Sequence, residues 1–247
     1  MVIHSQLAEY GEIPAGEQQF QLQNKKLLRI SLAHGQVEAK TGSMVAYQGA
    51  ATFENKGSGG LGKMLKKATT GEGVSMMHCA GTGEVFIADQ SSDIQVMYLE
   101  NDMVSVNGAN ILAFSSSIKW DIKRIGSGMA GALAGGRYNV TLTGTGYVAI
   151  TTDGPPVMLD VAGGNTFGDP NAVVMWSGGV VMNLKTDTTG GLKSLARGGS
   201  GETFQMDFQG EGFVLIQPSE GPVGGAGAGG SAGGNSGGGL LGALTNN

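Results

Sequence analysis

A nine-residue phrase built around two glycines occurs three times along the chain, as "CAGTGEVFI" at Cys79 to Ile87, "LTGTGYVAI" at Leu142 to Ile150 and "FQGEGFVLI" at Phe208 to Ile216. Each copy alternates like a strand, yet places glycine where a strand would carry side chains to pack. A glycine in that setting marks a bulge or a close approach of neighbouring backbone. Three occurrences, at Gly81 and Gly83, Gly144 and Gly146, and Gly210 and Gly212, imply one backbone requirement met at three equivalent places. The spacing is 63 residues from Gly81 to Gly144 and 66 from Gly144 to Gly210, a period that signals internal duplication.

A second phrase keeps the period. "MVAYQGAATFENK" at 44 to 56, "ILAFSSSIKWDIK" at 111 to 123 and "VVMWSGGVVMNLK" at 173 to 185 align so that Val45, Leu112 and Val174 are equivalent, as are Tyr47, Phe114 and Trp176. The remaining sequence is short, β-branched or aromatic-rich runs such as "DIQVMYL" and "PVMLDV", punctuated by Gly, Asn, Asp and Pro, which reads as an all-β protein. The order of the phrases suggests a split first repeat. Residues 20–56 together with 203–217 would form one unit, 78–123 the second and 140–185 the third, with the strands from Thr203 to Gln217 closing a pseudo-threefold ring beside residues 20–56. Closure would remove free sheet edges. The equivalent aromatics would then form one core layer, the competing reading being a stacking platform for bases beside Lys119, Lys123 and Lys185. Residues 1–218 form a single all-β domain in this reading, and 219–247 a Gly-rich flexible tail ending in the apolar peptide "LLGALTNN", either a disordered end or a tethered docking motif.

The chain has 247 residues, 40% of them hydrophobic, and a formal net charge of −5 from 15 basic and 20 acidic residues. That is enough for a well-formed core without the basic field that drives non-specific nucleic-acid binding. The single Cys79 excludes an intramolecular disulfide framework, and with three scattered histidines it supplies no structural zinc cluster. No metal and no cofactor is expected. The N-terminal segment lacks a basic stretch followed by a long apolar one, and no segment approaches about 20 continuous apolar residues, so the expectation is a cytoplasmic protein that does not span a membrane and can lie on one.

The succession "GSMVAYQG", the Gly- and Lys-rich "GSGGLGKMLKK", "GEVFIAD", "YNVTLTGTGYVAITTDG", "VVMWSGGV" and "FQGEGFVLIQP" resembles the altered-inheritance-of-mitochondria protein family over roughly residues 5 to 218. The resemblance implies a threefold-duplicated, double-stranded β-helix-like fold similar to subunits of the tryptophan-RNA-binding attenuation protein. Mitochondrial members of that family are associated with inner-membrane organisation; this chain has no Arg-rich, acid-poor leader and looks like a bacterial-type member. The glycine-rich tail departs from the family core and inherits no role.

Catalytic chemistry finds little support in the residues. His4, His34 and His78 do not recur between repeats, as a shared site would require, and read as surface or satisfied core histidines. Asp153 in "TDGPP" suits a turn, Cys79 has no basic flank or CxxC partner and reads as a small buried residue, and no GxSxG elbow occurs. Each GxG precedes another strand instead of a helix, against the dinucleotide fingerprint. The preferred functional segment is "GSGGLGKMLKKATTGEG". There Leu61, Met64 and Leu65 can share one face of a short helix while Lys63, Lys66 and Lys67 form a basic flank, suited to anionic lipid or an acidic partner; the competing reading is a solvated hairpin tip. A second insertion, "GSGMAGALAGG" at 126–136, is similar without charge. The expectation is a non-enzymatic scaffold or assembly protein acting through surface loops at a membrane surface, with protein partners or self-assembly; the alternative is a binding module for RNA or a small ligand. Far-UV circular dichroism is expected to show a β-type spectrum with little helix, and a helix content above about a third, the average of globular chains, would contradict the all-β reading.

Overall fold

The computed structural model describes residues 10–54, 74–125, 138–186 and 204–219. Among them there are fifteen strands, one 3-10 turn at Leu32–His34 and no α-helix. The helical segment expected at Leu61 to Lys67, the second insertion and the Gly-rich tail beyond Ser219 lie outside the described residues.

The described strands are grouped as three successive units, each a leading arm followed by a hairpin. In the first, β2 (Leu27–Ser31) and β3 (Val37–Lys40) lead into the hairpin of β4 (Met44–Glu54) and β5 (Met76–Ile87), while β1 (Phe20–Asn24) flanks β2. In the second, β6 (Asp93–Asn107) leads, and β7 (Ile111–Ser115) with β8 (Lys119–Arg124) folds onto β9 (Tyr138–Thr152). In the third, β10 (Val157–Asp160) and β11 (Thr166–Gly168) lead, and β12 (Val173–Ser177) with β13 (Val180–Thr186) folds onto β14 (Phe204–Gly210) and β15 (Phe213–Ile216). All pairings are antiparallel, and the equivalences read from the sequence hold in register. Tyr47 lies opposite Val85, Phe114 opposite Val148 and Trp176 opposite Val214. On the other side of the hairpin's second strand, Val37 faces Cys79, Val104 faces Leu142 and Thr166 faces Phe208.

The repeat boundaries differ from the expected ones. The C-terminal strands pair with β10 to β13 of their own unit, and among the described residues none pairs with 20–54. The units therefore run from 27 to 87, 93 to 152 and 157 to 216, each second phrase pairing with the glycine phrase that follows it. Consecutive elements pair most readily because a hairpin closes the shortest loop. Among the described residues no strand pairing closes the expected ring. The path runs β1-β2-β5-β3-β7-β9-β6-β12-β15-β10, with β11-β14-β13 as a separate sheet, so the series of units has two ends.

The glycines answer a steric demand where the hairpin arms cross. Gly146 has φ +153°, and a Cβ there would lie 2.8 Å from Ser115 Cβ and 3.0 Å from Ser117 Oγ. Gly212 has φ +134°, and a Cβ would collide with Ser177 Oγ. The two serines are equivalent and do the same work: Tyr147 N–H donates to Ser115 Oγ at 2.9 Å and Phe213 N–H donates to Ser177 Oγ at 3.0 Å. A hydroxyl thus replaces a ladder bond and the first arm breaks into two strands, β7 and β8 or β12 and β13. In the first unit the position is Gln48, paired directly by backbone with Glu84, and β4 runs on unbroken for 11 residues.

Three buried clusters follow the units. The first gathers residues such as Phe20, Leu28, Ile30, Val85 and Ile87; the second centres on Phe114, Leu142 and Val148; the third on Trp176, Phe208 and Val214. Cys79 is fully buried in the first. Burial, and then the neighbouring Glu38 charge, pushes its thiol up to about 11.

Deletion from Thr203 onward is expected to give aggregating protein without a cooperative melt. It removes buried Met206, Phe208, Val214 and Leu215, each worth roughly 1.5–3 kcal/mol against a total of about 5–15 kcal/mol for a domain, and bares the edges of β10 to β13. A soluble, cooperatively melting truncation would contradict the pairing described.

Candidate functional site

The residues singled out in the sequence do not converge on one place. Leu61, Lys63, Met64, Leu65, Lys66 and Lys67 lie outside the described residues; the segment that carries them joins β4 to β5, leaving the first hairpin at Glu54, opposite His78. The six repeat glycines sit at the crossings described above. His4 lies outside the described residues, and His34 is exposed at the end of the 3-10 turn. His78 is buried, its Nδ1 2.7 Å from Glu38 Oε1. Cys79 beside it is buried and held neutral, so the thiol is no ready nucleophile. Asp153 is exposed; its backbone N–H donates to Gln217 Oε1 at 3.0 Å.

The equivalent aromatics part company. Phe114 and Trp176 are buried, packed on Trp120 and Phe208 respectively, whereas Tyr47 is 53% exposed and its ring meets Phe53 edge-on at 5.3 Å. The expected single core layer is therefore incomplete. The difference lies in what covers the first arm: β7 is paired on its outer edge by β3 and β12 by β6, while among the described residues β4 pairs only with β5. A base-stacking row of three aromatics is not formed either. Lys185, one of its expected basic neighbours, is held by buried Asp207 at 2.7 Å.

A cleft of about 600 Å³ opens beside Gly146, between the turn after β7, the bulge of β6 and the segment leading into β1. Its walls are rich in hydroxyls and amides, from Gln19, Gln36, Tyr98, Ser115 to Ser117, Thr145 and Tyr147, with His34 and Glu17 also lining it. Much of that polarity is engaged internally. Ser115 Oγ donates to Gln19 Oε1 at 2.6 Å, Gln19 Nε2 to the Gly35 carbonyl at 2.9 Å, and Ser117 Oγ to the Thr145 carbonyl at 2.8 Å. Tyr147 is fixed between Phe20, stacked at 5.5 Å, and Tyr98, edge-on at 4.8 Å. Such a surface can hold a small polar ligand by hydrogen bonds and an aromatic wall. The His78–Glu38 pair is not part of its lining. The run "SSS" at 115–117 is the only trace of this cleft in the sequence, because its other walls come from distant segments.

Residues 20–219 match the family model described as mitochondrial biogenesis AIM24. A crystal structure of a Streptococcus pyogenes protein from a structural genomics consortium aligns with a TM-score of 0.64 and 23% sequence identity, covering 80% of this chain and 91% of that one; at that identity the likeness is one of fold. No curated protein matches the chain. The family match spans every described strand, from β1 to β15, and the chain belongs to the mitochondrial biogenesis AIM24 family.

Proposed function

We propose that this protein is a non-enzymatic scaffold or assembly protein that acts through surface loops, in the cytoplasm and at the surface of a membrane. One observation carries the reading: the open ends of all three equivalent hairpins hold Gly-rich insertions. Glu54 faces His78, Arg124 faces Tyr138 and Thr186 faces Phe204 at those ends, and the sequences between them are 55–75, 125–137 and 187–203. The first contains "LGKMLKK", the second "MAGALAGGR" and the third "GGLKSLARGG", each a short apolar run with at least one basic residue. A single such peptide binds weakly, and three on one frame multiply the contact. We read the frame itself as a pseudo-threefold duplication of the kind found in attenuation-protein subunits. Among the described residues no helix is long and apolar enough to cross a membrane.

The alternative, a module that binds a small ligand or RNA, draws support from the hydroxyl-lined cleft beside Gly146 for the small ligand. Burial of Phe114 and Trp176 weighs against base stacking.

Reversing Lys63, Lys66 and Lys67 to Glu is expected to leave the thermal midpoint nearly unchanged and to weaken binding to anionic vesicles severalfold, with the wild-type binding falling as salt rises. Vesicle binding that neither the charge reversal nor salt alters would remove the first insertion as the contact.

A further inference from the structure

The junction between successive units is made twice within the chain, and its two complementary halves are each left over once. At the first junction the outer edge of β3 pairs with β7, setting Val37 opposite Ser115, Glu38 opposite Phe114 and Ala39 opposite Ala113. At the second, β6 pairs with β12, setting Val104 opposite Ser177, Ser105 opposite Trp176 and Val106 opposite Met175. The registers are identical once the units are superimposed by their phrases. The third leading arm ends in β11, whose Thr166, Phe167 and Gly168 face Phe208, Asp207 and Met206; by the same glycine-phrase spacing they stand where Val104, Ser105 and Val106 stand in the second unit. The first unit's arm offers Ala46, Tyr47 and Gln48 where Ala113, Phe114 and Ser115 stand in the second. Among the described residues β11 pairs only with β14, and β4 only with β5.

Both leftover edges are apolar and exposed. Met44, Val45 and Tyr47 are 37%, 59% and 53% exposed, against 0% for the equivalent Ile111, Leu112 and Phe114; Phe167 is 44% exposed. From Met44 to Phe53 the strand carries no charge and no proline, so it lacks the devices that ordinarily guard an open edge. An edge of this kind takes an added strand.

We propose that β11 of one copy of this chain pairs antiparallel with β4 of the next, with Thr166 opposite Gln48, Phe167 opposite Tyr47 and Gly168 opposite Ala46. The contact repeats between chains the junction already made twice within one, and it covers Tyr47 as Phe114 and Trp176 are covered. Because the two edges differ, the association is head-to-tail, building a ring or a filament according to the rotation per copy. The proposal deepens the assembly reading above and rests on it for the class of partner; vesicle binding by a strictly monomeric protein would remove the edge contact and leave that reading standing.

The test is sedimentation of the full-length protein over a wide concentration range, with Tyr47→Lys and Phe167→Lys as separate variants. Wild type is expected to form multiples of its 25.1 kDa chain mass, and each variant to be monomeric with an unchanged thermal melt, since both side chains are exposed. Mixing the two variants is expected to restore association and to stop it at a one-to-one dimer, because each chain keeps one intact edge. In parallel, Gln48→Cys in one chain and Thr166→Cys in another should form an interchain disulfide, the native Cys79 being buried. A wild type monomeric throughout, variants that associate like wild type, or a mixture that stays monomeric would overturn the proposal. So would a double cysteine variant that oxidises only within its own chain, which would show that the three units close on themselves.

Discussion

Each hairpin turns on one crossing, where two arms approach so closely that the second strand has no room for a Cβ. The equivalent glycines Gly83, Gly146 and Gly212 meet that demand at φ values of +148°, +153° and +134°, a region in which L side chains are strained. In the second and third units a serine hydroxyl takes the following N–H, so the crossing keeps its polar groups satisfied while the arm changes direction. The local bend sends the two halves of the first arm along different neighbours. Ile111 to Ser115 reaches across to the leading arm of the first unit, while Lys119 to Arg124 stays with its own hairpin.

The same plan distinguishes strands flanked on both sides from strands paired on one side among the described residues. Among the described residues β6, β7 and β9 are each paired on two sides, while β8 pairs with β9, and the buried clusters pass from one unit to the next through Leu112, Ala113 and Met175. Among the described residues β4 pairs only with β5 and β11 only with β14. In the interior, buried His78 lies against Glu38, burial holds the Cys79 thiol protonated, and buried Arg29 is paired with Glu12 at 2.8 Å. What the chain offers outward is a bare strand, a hydroxyl-lined cleft and three hairpin ends.

The glycine phrases were legible in the sequence because a backbone constraint leaves no choice of residue type, and the equivalence of Tyr47, Phe114 and Trp176 was legible because register follows from it. Which phrase pairs with which was not. The insertion at 55–75 separates β4 from β5, so the two halves of the first hairpin look unrelated, and the order of phrases alone fits either partition. The exposure of Tyr47 was hidden for a different reason: its burial is decided by whether a neighbouring unit lies against β4, which no property of "MVAYQGA" records. The cleft was invisible apart from Ser115 to Ser117, since Gln19, Tyr98 and Thr145 meet only through the fold. The preferred site at Lys63, Lys66 and Lys67 rests on charge and spacing within an insertion that lies outside the described residues.

The central claim is that the three crossings are one physical device used three times, and alanine substitution measures it directly. Gly83→Ala, Gly146→Ala and Gly212→Ala, one at a time, are predicted to lower stability by about 1–3 kcal/mol each, from strained backbone and an overfilled crossing. Gly163→Ala serves as the control, since nothing lies within 4 Å of a Cβ there, and is predicted to be nearly neutral in thermal or denaturant melts. If the three crossing variants melt like the Gly163 variant, or if only one of them is destabilised, the crossings are not equivalent and the account of the fold as three copies of one unit is wrong.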